Sequence, residues 1–289
     1  MDRLIKKIRE NASMTQQELA YELGVTFSSV NRWENNKSYP NQMAQKGIYN
    51  FCKKKNIPIA DLVIENIENK VKNIEAKNGR ILLYHGSKSG IDGEILPISR
   101  EECDFGAGFY MGTELTQPLS LICGYEYAKL YVVSVNADKL KKIKLDADFD
   151  WAMLVAFSRK KMQMLRGTDF YAKYATLTEN ADMVIGPIAD DRMFYVLDGF
   201  FRNVIPDVAM LKCISALNLG NQYVAVTKKA CKSITVETEI IISDLEKLVF
   251  MDISEAKRHE GIELANNICR LERRNGRFFE EILDEVVLS

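Results

Sequence analysis

The first fifty residues carry their apolar positions at helical spacing. Leu4, Ile5 and Ile8 share one face of a helix that ends near Asn11. Thr15 followed three residues later by Glu18 has the form of a capping box ahead of Leu19, Ala20 and Leu23. Gly24 breaks that helix with a conformation other residues disfavour. A further helix begins at Thr26 or Phe27 and turns Val30 and Trp33 inward, and Pro40 ends the run. Two short helices joined by a glycine-containing turn predict a helix-turn-helix, which sets its second helix in the DNA major groove.

Residues 51–79 are rich in Lys, Asn and Glu, with Ile64, Ile67, Val71 and Ile74 on one face of a marginal amphipathic helix that Asn78-Gly79 ends. A linker and a short dimerising coil both fit it. From Arg80 the pattern becomes short apolar runs bounded by turns. Strands are predicted over 81–87, 129–136, 182–190 (with a Gly-Pro break) and, last, 221–227. Helices are predicted over 150–163, 192–203 and 207–218. This irregular interleaving fits α+β better than a doubly wound sheet. Ser254-Glu255 opens a tail helix in which Leu264, Ile268 and Leu271 share a face; after Asn275-Gly276 a second piece carries Phe278, Ile282 and Val286. The expected organisation is a multidomain chain. An all-α helix-turn-helix head spans 1–60, a helical linker 61–79, an α+β body 80–236 and an acidic helical tail 237–289.

Composition changes this picture in two places. The net charge of −1 hides an asymmetry: residues 1–60 hold ten Lys or Arg against five Asp or Glu, and 237–289 hold seven against thirteen. The basic end is the helix-turn-helix end, and the acidic tail could pack on a neighbour or cover the head or a site in the body. Six scattered cysteines without a C-x-x-C pair, beside only His85 and His259, predict core thiols of a reducing cytoplasm and no metal site. No apolar run nears the roughly 20 residues that span a bilayer, so a soluble cytoplasmic protein without a membrane partner is expected.

The string T-Q-Q-E-L-A-Y-E-L-G-V-T-F-S-S-V-N-R-W-E-N-N-K-S-Y-P at 15–40 resembles the helix-turn-helix of the Cro/cI-type phage repressors. The resemblance implies DNA as partner, with Gln16 on a phosphate and Phe27, Ser28, Ser29, Asn31 and Arg32 facing base edges or backbone. Lys37 and Lys6 suit phosphate contacts, which position without specifying. A surplus of five charges is modest, so tight binding calls for a homodimer. The plainer alternative is a helical module for dimerisation or partner docking.

In the body, Leu82-Leu83-Tyr84-His85-Gly86-Ser87, then Gly106-Ala107-Gly108-Phe109-Tyr110, then Asn221-Gln222-Tyr223-Val224-Ala225-Val226 resemble the three signature strands of the diphtheria-toxin/PARP branch of ADP-ribosyltransferases. With D-M-V-I-G-P-I-A-D-D they also resemble an uncharacterised bacterial family grouped with ADP-ribosyltransferase-like proteins near toxin–antitoxin-like genes. The resemblance implies a split-sheet fold and NAD as substrate, with mono-ADP-ribosylation of an unknown macromolecular acceptor as the activity. It makes His85, Tyr110 and Gln222 the catalytic positions. His85 would bond the adenosine ribose, the Gly86 backbone the nicotinamide amide, and Tyr110 would stack on nicotinamide with Tyr84 or Tyr125 as a second wall. Ser87 completes the cofactor set, although a turn role suits it, and Asp104, equally well.

The sequence departs from that pattern at the third position, where Gln222 stands in place of Glu. Glutamine hydrogen-bonds a ribose hydroxyl but brings no charge to an oxocarbenium ion, which argues against poly-ADP-ribose elongation. Asp190, Asp191 and Glu179 are the carboxylates that could substitute. Two other readings stay open: a non-enzymatic regulator responsive to NAD or ADP-ribose, and an NAD glycohydrolase. No Walker motif occurs, and the D-F-G at 104–106 lacks the other kinase signatures.

Overall fold

In a computed structural model the described residues are 2–76, 79–189, 191–217 and 220–288. Asn78, at the predicted linker end, and Asp190 lie outside them, as do the side chains of Asp191 and Val286. The head is five helices: α1 (Asp2–Asn11), α2 (Gln16–Leu23), α3 (Phe27–Glu34), α4 (Gln42–Lys54) and α5 (Ile59–Val71). Its sequence signals act as expected. Thr15 and Glu18 form the reciprocal capping box on α2, and Gly24 closes that helix in the left-handed region at φ 65°. Leu4, Ile5, Ile8, Val30 and Trp33 are buried.

The body runs β1 (Ile81–Ser87), β2 (Phe109–Gly112), α6 (Thr116–Ile122), β3 (Lys129–Val135), β4 (Lys142–Lys144), α7 (Phe149–Ser158), α8 (Asp169–Thr176), β5 (Met183–Pro187), α9 (Asp191–Phe201), α10 (Asp207–Leu217), β6 (Asn221–Ala225), α11 (Lys228–Cys231) and β7 (Ile234–Ile241). Two helices follow, α12 (Asp244–Leu271) and α13 (Phe279–Leu288). The strands form one seven-stranded sheet in the order β4-β5-β6-β2-β1-β3-β7, so the fold is a helical head followed by a mixed α+β domain. The sheet is nearly parted in the middle. β1 and β2 share only the pair Tyr84↔Gly112, whereas β1 pairs with β3 along its whole length.

Three expectations need correction. The strand at 221–227 is not the last, because Ile234–Ile241 pairs along β3 as the edge strand β7, burying Ile234 and Ile240. The tail is therefore not all helix, and its helix opens ten residues before Ser254. Ser243 caps α12, and Glu246 completes a second capping box. The predicted face of Leu264, Ile268 and Leu271 is only partly the packed one: Ile268 packs on the core, Leu264 and Leu271 are exposed, and Gly261 and Ala265 are buried. Small residues let α12 lie close on α10, where longer side chains would hold it away.

Segment 61–79 does not act as a spacer. α5 starts at Ile59 and buries Leu62, Val63, Ile67 and Val71 in a core that also holds head residues, Leu119 and Ile122 of α6, and Leu245, Val249 and Phe250 of α12. The face offered to a dimerising coil is used within the chain. α12 packs on α4, α5 and α6 through one part of its length and on α9 and α10 through another, so it ties head to body. A second core lies on the α7–α10 side of the sheet, and a third on the opposite side around Leu83, Tyr131 and Val133.

Candidate functional site

α3 packs on α1 and α2, whereas α12 holds the head through α4 and α5, so the recognition helix is left clear of the body. Phe27, Ser28, Arg32 and Lys37 are exposed on it and just beyond it. Ser29 is half-buried and its backbone N–H bonds the capping Thr26 hydroxyl. Gln16 and Asn31 are half-buried in a relay that ends on Glu34. Asn31 Nδ2 donates to Gln16 Oε1 at 3.1 Å, Gln16 Nε2 donates to Glu34 Oε2 at 2.8 Å, and Arg9 donates to both Glu34 oxygens at 2.7 and 3.0 Å. Burial opposes charge on Glu34, yet Arg9 and Gln16 outweigh it and hold the carboxyl below its usual range. The relay fixes how α3 sits on α1 and α2. Sequence reasoning missed Glu34, whose partner Arg9 lies 25 residues away.

The three signature strands of the body are neighbours, β6-β2-β1, at the parting of the sheet. His85 occupies the parting itself. Its Nδ1 meets the Tyr110 carbonyl at 2.7 Å, beyond the single ladder pair. Because a carbonyl only accepts, Nδ1 carries the proton and Nε2 is the bare acceptor. Burial lowers the pKa of His85, outweighing that hydrogen bond, so the ring is neutral near pH 7. The ring stacks on Phe109 at 4.1 Å. Phe109 and Tyr110 alternate along β2, so the His85 ring and the Tyr110 ring lie on opposite sides of that strand.

Tyr110 and Gln222 share a side, since Tyr110 pairs with Val224 and Gly112 with Gln222. The Tyr110 hydroxyl is spent internally. It donates to the Gly106 carbonyl at 2.7 Å and accepts from Phe105 N–H at 3.0 Å, and burial pushes its pKa up. Only its ring is left to act as a wall. Gln222 is buried, and its Nε2 donates to Asp104 Oδ2 at 2.8 Å and to the Pro187 carbonyl at 3.0 Å. Asp104 is in turn held by Arg159 Nε and Nη2 at 3.1 and 2.5 Å and by the Ala189 N–H at 3.2 Å.

The remaining predicted positions divide. Tyr84 is half-buried and packs toward the head, and its pKa is raised by burial first and then by Glu114 and by Glu68 of α5. Gly86 is covered by α6: a Cβ there would lie 2.9 Å from both Ile122 Cγ2 and the Pro118 carbonyl, so only glycine fits. Ser87 closes its own turn, donating to the Gly90 carbonyl at 2.8 Å and accepting from Gly90 N–H at 3.0 Å. Tyr125 is exposed, with Lys88 Nζ 4.4 Å above its ring. Glu179 is exposed in the turn after α8. The carboxylate beside Gln222 is instead Asp104, from the D-F-G string dismissed for want of kinase company. Among the described residues no group of three or more His, Cys, Asp or Glu is arranged to hold a metal ion, and no helix is long and apolar enough to cross a membrane.

Head and body thus define a helix-turn-helix joined to an α+β domain built around a parted sheet. Residues 5–43 match the helix-turn-helix family, a DNA-binding class of module. Residues 81–236, more than half of the chain, match the family described as protein of unknown function (DUF3990), and the chain belongs to that family. No curated protein and no solved structure matches it.

Proposed function

We propose that this is a cytoplasmic, sequence-specific DNA-binding protein whose body binds NAD and couples that ligand to the DNA-bound head. The observation that carries the DNA half is the exposed α3 face. Phe27, Ser28, Arg32 and Lys37 stand clear while the far side of the head is fastened to α12. Arg32 can take guanine bidentately, and Lys37 neutralises a phosphate. A homodimer on paired half-sites supplies the affinity that one head lacks. The test is selection of a binding sequence from random DNA, followed by fluorescence anisotropy of wild type and Arg32→Ala. Equal affinity for selected and scrambled DNA would sink the reading.

The NAD half is supported by the adjacency of β6, β2 and β1 and by the neutral His85, whose Nε2 is an acceptor suited to a ribose hydroxyl. Mono-ADP-ribosyl transfer to a macromolecular acceptor is the second reading, favoured by the same adjacency of the signature strands. Gln222 is neutral and the His85 ring lies across β2 from it, which favours ligand binding over fast turnover. Incubation with adenylate-labelled NAD, lysate and nucleic acid separates these outcomes. Label on a macromolecule means transfer, free ADP-ribose means glycohydrolysis, and saturable binding with no nicotinamide released means sensing. No binding at millimolar NAD would remove all three.

A further inference from the structure

The side-chain amide of Gln222 has a determined orientation. Both groups that face its nitrogen, the Asp104 carboxylate and the Pro187 carbonyl, are pure acceptors, so the NH2 must point inward at them. Its Oε1 makes no hydrogen bond among the described residues. Every fully buried side-chain nitrogen or oxygen there has a partner, so an Oε1 without one is not fully enclosed, although the residue as a whole is only 6% exposed. Gln222 also lies between two glycines in register, Gly112 on β2 and Gly186 on β5, so neither neighbouring strand places a side chain over it.

We infer that Asp104 is a positioning residue that locks Gln222 with its nitrogen inward and its oxygen outward, making position 222 an obligate hydrogen-bond acceptor for a ribose hydroxyl. The ligand half of this rests on the NAD reading above; the lock itself does not. Arg159 fixes Asp104 from behind, so the chain Arg159–Asp104–Gln222 polarises toward the outward oxygen. The outward oxygen keeps the acceptor that a carboxylate would provide, while the charge sits one residue deeper.

Charge-swapped variants test the lock without any ligand. Gln222→Glu sets two carboxylates against each other. One must then hold a proton more tightly when folded than unfolded, so stability is lost as pH rises past about 4.3, the usual Glu value, and regained on acidification. The double variant Asp104→Asn/Gln222→Glu restores a donor–acceptor pair and leaves Arg159 a carboxylate nearby. Its melting temperature at pH 7.5 should exceed that of Gln222→Glu alone. A Gln222→Glu protein with wild-type stability across pH 4.5–8 overturns the lock.

The ligand half is read by calorimetric titration with NAD. Asp104→Asn turns a donor toward Gln222 and favours flipping its amide, which should weaken NAD binding by about tenfold, the worth of one good hydrogen bond. The double variant should recover it. If NAD binds wild type and Asp104→Asn equally, positioning by Asp104 is wrong although the NAD reading survives. If wild type binds no NAD while the melting pattern holds, the lock stands and the NAD reading falls.

Discussion

Gln45 of α4 accepts a hydrogen bond through its side-chain oxygen from the backbone N–H of Leu245, at 2.9 Å across 200 residues of sequence. Its Nε2 donates to the Pro40 carbonyl at 2.9 Å, where the helix-turn-helix string ends. One buried amide therefore caps the start of α12 and fixes the exit of the DNA-binding module. Replacing it by leucine leaves the Leu245 N–H and the Pro40 carbonyl without this partner. The expected cost is about 1–3 kcal/mol, measured as a shift of the urea midpoint at unchanged slope.

Glu246 sits beside that contact, buried, accepting from Lys70 Nζ at 2.8 Å while its other oxygen completes the Ser243 capping box. Burial by itself would raise its pKa; Lys70 and the Ser243 hydrogen bonds outweigh that and the net shift is downward. A carboxyl depressed in the fold contributes stability above its unfolded value of about 4.3, and that contribution is lost as pH falls through the folded value. Acid titration by circular dichroism should therefore show stability falling below about pH 4.3. Glu246→Gln, which leaves Lys70 without its charged partner, should be less stable at pH 7 and should show a shallower acid slope.

Asn31, Gln16, Glu34 and Arg9 make the recognition helix sensitive to a residue that does not itself face DNA. Glu34→Ala releases the half-buried Arg9 and the Gln16 amide together. DNA affinity in anisotropy titrations should fall while Phe27, Ser28 and Arg32 remain in place. Lys37→Ala should act differently, weakening selected and scrambled DNA alike and reducing the salt slope by about one. Equal salt slopes for wild type and Lys37→Ala would remove Lys37 from the phosphate contacts.

The contrast between these groups shows what a chain reveals before it is folded. Thr15, Glu18, Gly24, Val30 and Trp33 were legible because caps, turns and helical faces act over three or four residues. β1 and β6 were legible through their strand patterns, whereas β2 entered only through the resemblance of 106–110 to a signature strand. Asp104 was not, because its partners Arg159 and Gln222 lie 55 and 118 residues away. β7 was missed although Ile234, Val236, Thr238 and Ile240 alternate, since Glu237 and Glu239 on the edge make it read as polar. Those acids have partners: Ser134 donates to Glu237 at 2.5 Å and Tyr131 to Glu239 at 2.7 Å. The start of α12 was missed for a simpler reason. Ser243 and Glu246 have the same spacing as Thr15 and Glu18 but follow a strand rather than a loop.

Phe250 decides whether head and body are one cooperative unit. It is fully buried in the core that also holds Leu4, Ile48 and Val63 of the head and Leu119 of α6. A core shared this way makes independent melting of the helix-turn-helix costly, because opening either part exposes apolar surface on the other. Calorimetry of the wild type should give one transition whose calorimetric and van't Hoff enthalpies agree. Phe250→Ala leaves a cavity at this junction and should cost about 3–5 kcal/mol. Because that loss falls on contacts between parts rather than within either, the variant should melt first at the head, as a low-temperature shoulder seen by hydrogen exchange in α4 and α5. Loss spread evenly over head and sheet would mean that the junction is no weaker than the cores it joins. Two separated transitions in the wild type would mean that α12 fastens the head less firmly than its buried face requires.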